Sequence, residues 1–280
     1  MTADQPPTQD DLAREGQHVP LAFDMSVAHQ ARMYNYFLGG KDNYAADREA
    51  AEAWRQIDPD IVFGARANRA FLGRAVRYLT ADAGIRQFLD IGTGIPTAGN
   101  THEVAQAIAP DSRVVYVDYD PIVLAHARAL LTSDKAGATE YIDADLRDAS
   151  TILTAAARLL DFSQPVAITL IAVLHAIPDS DGPYDIVARL LDAVPPGSYF
   201  ALTHSASDLL GLEQRHGLED VNSRLVQQHF TYRSREQVAR FFAGLDVVAP
   251  GLVRVEEWRP DPGPAGAGKS HLWCAVGRKR

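Results

Sequence analysis

Apolar and polar residues in the middle of the chain follow two alternating patterns. Short runs rich in β-branched residues, such as RQFLDIG, RVVYVDYD and PVAITLIAVL, are bounded by glycine, proline or an acid. Between them, segments such as ASTILTAAARLL and YDIVARLLDAV place apolar residues at helical spacing. Strands separated by helices of about 10–15 residues indicate βαβ units. The pattern therefore predicts a parallel sheet with helices on both faces.

The pattern changes in the last third of the chain. GLEQRHGLEDVNSRLVQQHF is a polar helical segment, and SREQVARFFAGL starts with the capping-box pair Ser234 and Gln237 and ends at Gly244. Two further apolar runs, DVVAPGLVRVEEW and HLWCAVGRK, are joined by RPDPGPAGAGK without an intervening helix. Two strands joined in this way pair antiparallel. The fold class predicted is α/β, with a mostly parallel seven-stranded sheet that ends in an antiparallel hairpin.

The N-terminal part has helical patterns and no strand to join the sheet. SVAHQARMYNYFLGG and NYAADREAAEAWRQI flank a GGKDN turn. One interpretation is a static helical cover, with Met33 and Phe37 packed as core. The other is a lid over a binding site, with Tyr34 or Tyr36 lining the pocket. The predicted divisions are a polar tail (residues 1–20), a helical cover or lid (21–80) and an α/β domain (81–280) that forms one structural unit with the cover.

Composition restricts the possible partners. The formal net charge of −9 disfavours a general nucleic-acid binder, because phosphate neutralisation needs clustered Lys and Arg. The longest apolar run, residues 166–174, is too short to span a membrane, and the N-terminus lacks the pattern of a signal peptide. The single cysteine, Cys274, fits a reducing compartment. We expect a cytoplasmic protein that acts on a small molecule, without nucleic acid or membrane as partner and with its oligomeric state open.

A glycine-rich loop follows the first predicted strand, in FLDIGTGIPTAGN (residues 88–100). Glycines allow a sharp turn and a close approach of the backbone to a ligand. In doubly wound sheets, ligands bind beyond the carboxyl ends of the strands. Two later strands end near acids: Asp118 is placed to accept hydrogen bonds from a ribose diol, and Asp145 to accept one from an adenine amino group. Three such features in consecutive units predict a nucleoside site.

The same loop favours S-adenosylmethionine over a dinucleotide. The NAD fingerprint needs a third glycine three positions after Gly94, where this chain has Thr97. Pro96, which we expect in the first turn of the helix through TAGNTHEVAQAIA, donates no N–H to a phosphate. Asp90 would repel a pyrophosphate, but it helps hold the positive amino-acid end of S-adenosylmethionine through the loop or a water. An NAD-dependent oxidoreductase is the less favoured alternative.

Several motifs together resemble a known family. LDIGTG, VVYVDYDP, DADLRD, AVLHAIPD and PPGSYFALTH resemble the successive motifs of class I S-adenosylmethionine-dependent methyltransferases. ARMYNYFLGGKDNYAADREAAE, RANRAFLGRAVRYL and FLDIGTGIPTAGNTHEVAQ are similar to a mainly actinomycete S-adenosyl methyltransferase family formerly carried as a domain of unknown function. The resemblance implies a Rossmann-like fold and S-adenosylmethionine as cofactor, but no acceptor. The expected cofactor-binding residues are Asp90, Gly92, Thr93, Gly94, Asp118, Tyr119, Asp145, Leu146 and Val173. One of the neighbours Arg66, Asn68 and Arg69 is expected to bind the cofactor carboxylate, and Arg66 is the candidate chosen.

The catalytic chemistry leaves alternatives open. Methyl transfer from a sulfonium is an in-line displacement, so positioning supplies much of the rate and a base is needed only if the acceptor must lose a proton. His175, after the fourth strand, and His204, in the fifth, are candidate bases, although each alone is also typical of a structural histidine. No spacing of His, Cys and Asp predicts a metal site. The main hypothesis is a small-molecule methyltransferase, and the alternative is a non-catalytic protein that binds S-adenosylmethionine or S-adenosylhomocysteine.

Overall fold

One eight-stranded sheet organises the chain. The computed structural model describes residues 24–124, 136–226, 228, 230–262 and 268–280. The strands are β1 (Gln87–Ile91), β2 (Arg113–Asp118), β3 (Ala138–Asp143), β4 (Ala167–Ile171), β5 (Tyr199–Ser205), β6 (Leu245–Val247), β7 (Val253–Arg254) and β8 (Leu272–Lys279).

The strand order is β3-β2-β1-β4-β5-β8-β6, with β7 also paired to β8. Strands β1 to β5 are parallel, and β8 runs antiparallel to β5, β6 and β7. The predicted α/β sheet with an antiparallel end is therefore confirmed. The single strand expected over DVVAPGLVRVEEW is instead divided into β6 and β7. Pro250, between them, has no N–H for a ladder, and Gly251 has a φ of 96°.

Eight α-helices are present in the described ranges. Residues 121–124 start another helix, and the rest of the helix expected over PIVLAHARALL lies outside the described residues. Short 3₁₀ turns span Leu174–Ala176, Asp179–Asp181 and Arg240–Phe242, and a π-helical segment, Asn222–Val226, continues the seventh helix. The helices are α1 (Gln30–Phe37), α2 (Ala45–Ile57), α3 (Ile61–Ala81), α4 (Thr101–Ile108), α5 (Ala149–Ala156), α6 (Pro183–Asp192), α7 (Leu212–Val221) and α8 (Arg235–Ala239).

Each face of the sheet buries its own apolar cluster. Leu89 and Ile91 of β1 belong to a cluster that includes α5, α6 and α8, whereas Phe88 belongs to a cluster that includes α3 and α4. This division follows from the alternation of side chains along a strand. Because both faces are covered, the central parallel strands β1 and β4 appear in the sequence as largely apolar runs, whereas β3, at the edge, is only partly buried.

The structure corrects the position of Pro96. Helix α4 begins at Thr101, and Pro96 lies in the loop before it, outside the first helical turn where it was expected. Glu103 caps the N-terminus of α4: its Oε2 accepts hydrogen bonds from the backbone N–H of Gly99 (2.6 Å) and Asn100 (3.3 Å). The chain from β1 to α4 is thus a long connecting loop.

A third apolar cluster holds the N-terminal helices. Met33 and Phe37 pack with Trp54, Leu218 and Val226, and so join α1 and α2 to α7 and the π-helical segment. Helix α3 contributes to this cluster and to the sheet cluster. The predicted tail lies outside the described residues, and the domain boundaries stay predictions. Every helix within the described ranges falls short of the length and apolarity of a membrane span.

Candidate functional site

A cavity of about 380 Å³ lies between the carboxyl ends of the parallel strands and the N-terminal helices. This volume is within the range of pockets that bind small ligands. One part of its wall, the strand-loop region, consists of the loops after β1, β2 and β3. Another part, the aromatic region, consists of Trp54, Phe230, Tyr232 and His271. The position agrees with the rule that ligands bind where the strand order reverses.

The loop after β1 connects three strand ends. Gly92 and Gly94 have φ values of 75° and 65°, which favour glycine. The N–H of Gly92 donates to the carbonyl of Val117 at 2.8 Å, and the N–H of Gly94 donates to Asp118 Oδ2 at 2.9 Å. A Cβ at Gly92 would collide with the side chain of Val173, so this glycine is required by packing within the protein.

Asp90 is buried in the cavity wall between β4 and α4. Its two carboxylate oxygens accept hydrogen bonds from the hydroxyls of Thr169 and Thr101, each at 2.6 Å. Burial raises the pKa of Asp90, and the two hydroxyl donors oppose that rise. The carboxyl group is therefore held in a fixed orientation at the end of β1.

The acids after β2 and β3 have different surroundings. Asp118 accepts from the N–H of Gly94 and from the N–H of Asp120 (3.0 Å), and burial raises its pKa despite these donors. Asp145 is more exposed and pairs with Arg147, whose Nη1 lies 3.0 Å from Asp145 Oδ2. The predicted cofactor-binding residues that line the cavity are Asp90, Gly92, Thr93, Gly94, Asp118, Tyr119, Asp145, Leu146 and Val173.

The two candidate tyrosines of α1 are placed differently. Tyr34 lines the cavity, where its hydroxyl donates to the carbonyl of Ala65 (3.0 Å) and accepts from Asn68 Nδ2 (2.9 Å). Tyr36 is outside the described cavity wall, and its hydroxyl donates to Glu52 at 2.8 Å. The structure therefore brings only Tyr34 to the site.

The candidates for a carboxylate partner are also separated. Arg66 is exposed and lies outside the cavity wall that the structure describes, whereas Asn68 and Arg69 line it. Arg69 Nη2 donates to Asn100 Oδ1 (2.9 Å) and to the carbonyl of Thr97 (3.1 Å), which ties α3 to the loop before α4. Its buried Nε has no partner among the described atoms. The placement favours Arg69 over Arg66 as an anion-binding group.

His204 is held as a structural histidine. Its Nδ1 donates to the carbonyl of Ser205 (2.8 Å), and its Nε2 accepts from Arg233 Nη1 (2.7 Å). Burial, with Arg233 beside the ring, lowers the pKa of His204 to about 3. Because both nitrogens are engaged and the ring is outside the described cavity wall, this placement argues against His204 as a base.

His175 lines the cavity and is buried. Its ring stacks on Phe230 with centroids 4.2 Å apart, and its Nε2 contacts the side-chain amide of Gln30. Burial, followed by the neighbouring His204 and Arg233, holds the pKa of His175 well below its usual range. His175 is therefore uncharged at neutral pH, and its Nε2 faces a residue of α1.

Arg233 was not predicted from the sequence, although it fixes the segment that carries His175. The fully buried guanidinium donates to the carbonyls of Leu174 (3.0 Å) and Ile177 (2.8 Å) and to Asp179 Oδ1 (2.6 Å). An arginine in the polar stretch TYRSRE has no sequence signal that separates it from its exposed neighbours. Its role depends on the loop after β4, which is distant in the chain.

Asp58 and His271 form a second site feature that the sequence did not indicate. Asp58 Oδ2 lies 2.9 Å from His271 Nδ1, and both side chains line the cavity. Asp58 directly follows α2, and His271 directly precedes β8, so the pair joins the N-terminal helices to the last strand. In the described ranges, no group of three or more His, Cys, Asp or Glu is arranged to hold a metal ion.

The sheet order, the antiparallel β8 and a cavity bordered by strand-end acids define a class I S-adenosylmethionine-dependent methyltransferase. The chain belongs to the S-adenosyl methyltransferase family, whose model matches residues 17–280. The expected fold, family and cofactor are therefore confirmed, and the protein is a methyltransferase that uses S-adenosylmethionine.

Two solved structures are similar over nearly the whole chain. A DUF574 family protein from Streptomyces avermitilis is 42% identical, with a TM-score of 0.88 over 92% of this chain and 99% of that one. A candidate methyltransferase from Thermobifida fusca is 39% identical, with a TM-score of 0.84 over 95% of this chain and all of that one (100%). A more distant S-adenosylmethionine-dependent methyltransferase from Anabaena variabilis, 14% identical with a TM-score of 0.51, shares the fold. Comparison with curated proteins gives no significant match.

Proposed function

We propose that the protein methylates a small molecule bound in the same cavity as the cofactor. This proposal rests on one observation: the strand-end acids, which suit the cofactor, and the aromatic region, which suits an acceptor, line the same cavity. The cavity is of the size that binds small ligands, and the acidic chain gives no support for a nucleic-acid acceptor. The same composition, with its single cysteine, supports the cytoplasm as the place of action.

The strand-loop region has groups that suit S-adenosylmethionine. The carboxylate of Asp118 would accept from the ribose hydroxyls, and Leu146 with Asp145 would contact the adenine. The unpartnered Nε of Arg69 would donate to the cofactor carboxylate. A Cβ added at Gly94 would enter open space, since no described atom other than those of its two chain neighbours lies within 4 Å of that position. When bound, S-adenosylmethionine supplies an electrophilic methyl group on a sulfonium.

Calorimetry followed by a transfer assay tests this function. We expect S-adenosylmethionine and S-adenosylhomocysteine to bind with one-to-one stoichiometry, and NAD to give no heat of binding. The protein, incubated with methyl-labelled cofactor and a small-molecule extract, should then transfer label to a low-molecular-weight product. Binding without any transfer to small molecules would contradict the proposed acceptor class, and absence of cofactor binding would contradict the assigned site.

A further inference from the structure

The Asp58–His271 pair leaves one imidazole nitrogen available to a ligand. Asp58 Oδ2 accepts from His271 Nδ1, and Asp58 Oδ1 accepts from the N–H of Asp60 (3.1 Å). This arrangement places the proton on Nδ1 and the lone pair on Nε2. No described residue is within hydrogen-bonding distance of that Nε2, and the side chain, which lines the cavity, is 18% exposed.

His271 lies away from the cofactor-binding strand ends. Leu272, the next residue, pairs with Ser205 at the carboxyl end of β5, because β8 runs antiparallel to β5. The acids of the strand-loop region follow β1, β2 and β3, on the other side of β4 in the sheet order. His271 therefore lies where an acceptor, and not the nucleoside, would bind.

Aromatic rings line the cavity wall beside Asp58, whose N–H donates to the carbonyl of Trp54 at 2.8 Å. Phe230 packs edge-on against Trp54 with centroids 5.4 Å apart, and its ring is tilted against that of Tyr232 with centroids 4.8 Å apart. The same ring stacks on His175. Such a wall favours a flat apolar ligand, since aromatic pairs contribute beyond the area they bury.

Buried polar groups in the same wall lack partners within the described part of the chain. They are Trp54 Nε1, the Tyr232 hydroxyl and both polar atoms of the Asn222 side chain, and all three residues line the cavity. A buried polar group without a partner costs about 1–3 kcal/mol, so several in one wall indicate a site shaped for a ligand that carries hydrogen-bonding groups.

The charges of the described wall do not favour an anionic acceptor. Among the described residues, the arginines that line the cavity are Arg69 and Arg147, and no lysine does. Arg69 bonds the loop before α4, and Arg147 bonds Asp145 and Asp181, so both serve the strand-loop region. The aromatic region thus lacks a cation for a phosphate or carboxylate.

We infer that the acceptor is an uncharged aromatic molecule with a hydroxyl group, and that His271, oriented by Asp58, is the general base for its O-methylation. This inference rests on the proposed function. The acceptor O–H bond breaks and its proton moves to His271 Nε2. The oxygen electron pair forms the new O–CH₃ bond, while the C–S bond breaks and its electron pair remains on sulfur. The products are the methyl ether, S-adenosylhomocysteine and a protonated His271, which returns its proton to solvent.

Absorption of bound p-nitrophenol tests the base without turnover. The probe is titrated into protein saturated with S-adenosylhomocysteine, and the phenolate band gives its ionised fraction. We expect His271→Gln to bind the probe, with a ratio of ionised to protonated form about tenfold lower than in the wild type, a change of one pKa unit. Asp58→Asn should lower the ratio in the same direction. His216→Gln, an exposed histidine of α7 outside the described cavity wall, should leave it unchanged.

The outcomes separate this inference from the proposed function. If S-adenosylhomocysteine fails to bind the wild type, the cofactor site is wrong. If it binds, and p-nitrophenol does not bind or shows equal ionisation in wild type and His271→Gln, the assignment of the acceptor and base is wrong. S-adenosylhomocysteine affinity and thermal unfolding confirm that each variant is folded, and Asp58→Asn carries the same test if His271→Gln does not fold.

Discussion

The acids Asp90, Asp118 and Asp145 occupy strand ends in one cavity wall, yet their local bonds give them different roles. Two threonine hydroxyls hold Asp90, two backbone N–H groups hold Asp118, and a partly exposed arginine pairs with Asp145. Of the three, Asp118 is the one whose replacement we expect to affect ligand binding most, because its half-buried carboxylate has a fixed orientation beside the glycine loop.

Replacing Asp118 should weaken cofactor binding. In Asp118→Ala, loss of charge-assisted hydrogen bonds to the ribose should reduce the affinity for S-adenosylhomocysteine by about 2 kcal/mol, roughly 30-fold. Calorimetry measures this change. The matched control is Asp143→Ala, the exposed residue opposite Asp118 in the register of β2 and β3. Equal affinities for wild type and Asp118→Ala would remove Asp118 from the ribose site.

Two substitutions in the loop after β1 should differ in their effects: one should weaken ligand binding, and the other should lower only the stability of the fold. Gly94→Ala places a methyl group where no described atom beyond its two chain neighbours lies within 4 Å, in space that the ligand would fill. We therefore expect reduced S-adenosylhomocysteine affinity, with a stability loss of about 1 kcal/mol from the positive φ. Pro96→Gly should cost about 1 kcal/mol through a more flexible unfolded chain, with unchanged affinity. Titration and urea unfolding of both variants check this. Normal affinity in Gly94→Ala with lost affinity in Pro96→Gly would reverse the two roles.

At the scale of elements, apolar periodicity was sufficient to predict the parallel strands and most helices, because each buried strand or helix face has a local signal. It was insufficient where contacts between distant or non-periodic residues set the boundary of an element or bring two residues together. The start of α4 depends on Glu103 reaching back to Gly99, and the division of the hairpin strand depends on Pro250. The pair Asp58–His271 has no local signal, because the two residues are 213 positions apart and meet only when α2 and β8 are placed.

Helix α1 bridges both sides of the cavity. His29 Nδ1 lies 2.9 Å from Asp120 Oδ2, beyond β2, and Gln30 contacts His175, beyond β4. We predict that residues 30–45 exchange amide hydrogens more slowly when S-adenosylhomocysteine binds, since His29 and Gln30 at the start of α1 line the cavity that the ligand would fill. Hydrogen-exchange mass spectrometry measures this, with residues 183–192 of α6 as the unchanged reference. Equal exchange with and without ligand would identify α1 as a static cover.

The segment after β4 depends on one buried cation. Arg233→Met should lower the free energy of unfolding by about 3 kcal/mol or more, because two backbone carbonyls and His204 Nε2 lose their donor. Urea denaturation gives the value. Arg215→Met, at a half-exposed position of α7 with a 3.8 Å ion pair to Glu219, should change it by less than about 0.5 kcal/mol. Similar losses in both variants would refute the structural role of Arg233.

At the scale of the whole molecule, buried ionisable groups give stability opposing dependences on pH. His175 and His204 have pKa values lowered by burial from 6.5, so the unfolded chain binds more protons below that pH and stability falls on acidification. Asp90 and Asp118 have pKa values raised from 3.8, so the folded state binds more protons than the unfolded chain just above that pH. Acidification in that interval therefore increases the free energy of unfolding. The two effects overlap, because the histidine loss begins near pH 6.5 and, for His204, continues down to about 3, whereas the carboxyl gain is confined to the interval just above 3.8.

The free energy of unfolding should therefore decrease as the pH falls from about 7 to about 5, with a slope that approaches at most about 1.4 kcal/mol per pH unit for each of the two histidines. Urea unfolding at several pH values measures the slope. In His204→Gln the slope should be smaller, because the lowered pKa of about 3 no longer contributes, even though the variant is less stable at neutral pH. His216→Gln, on the exposed face of α7, should retain the wild-type slope. A slope in His204→Gln equal to that of the wild type would show that His204 accepts a proton in the folded protein, and that the segment linking β4, β5 and Arg233 is more open to water than its burial indicates.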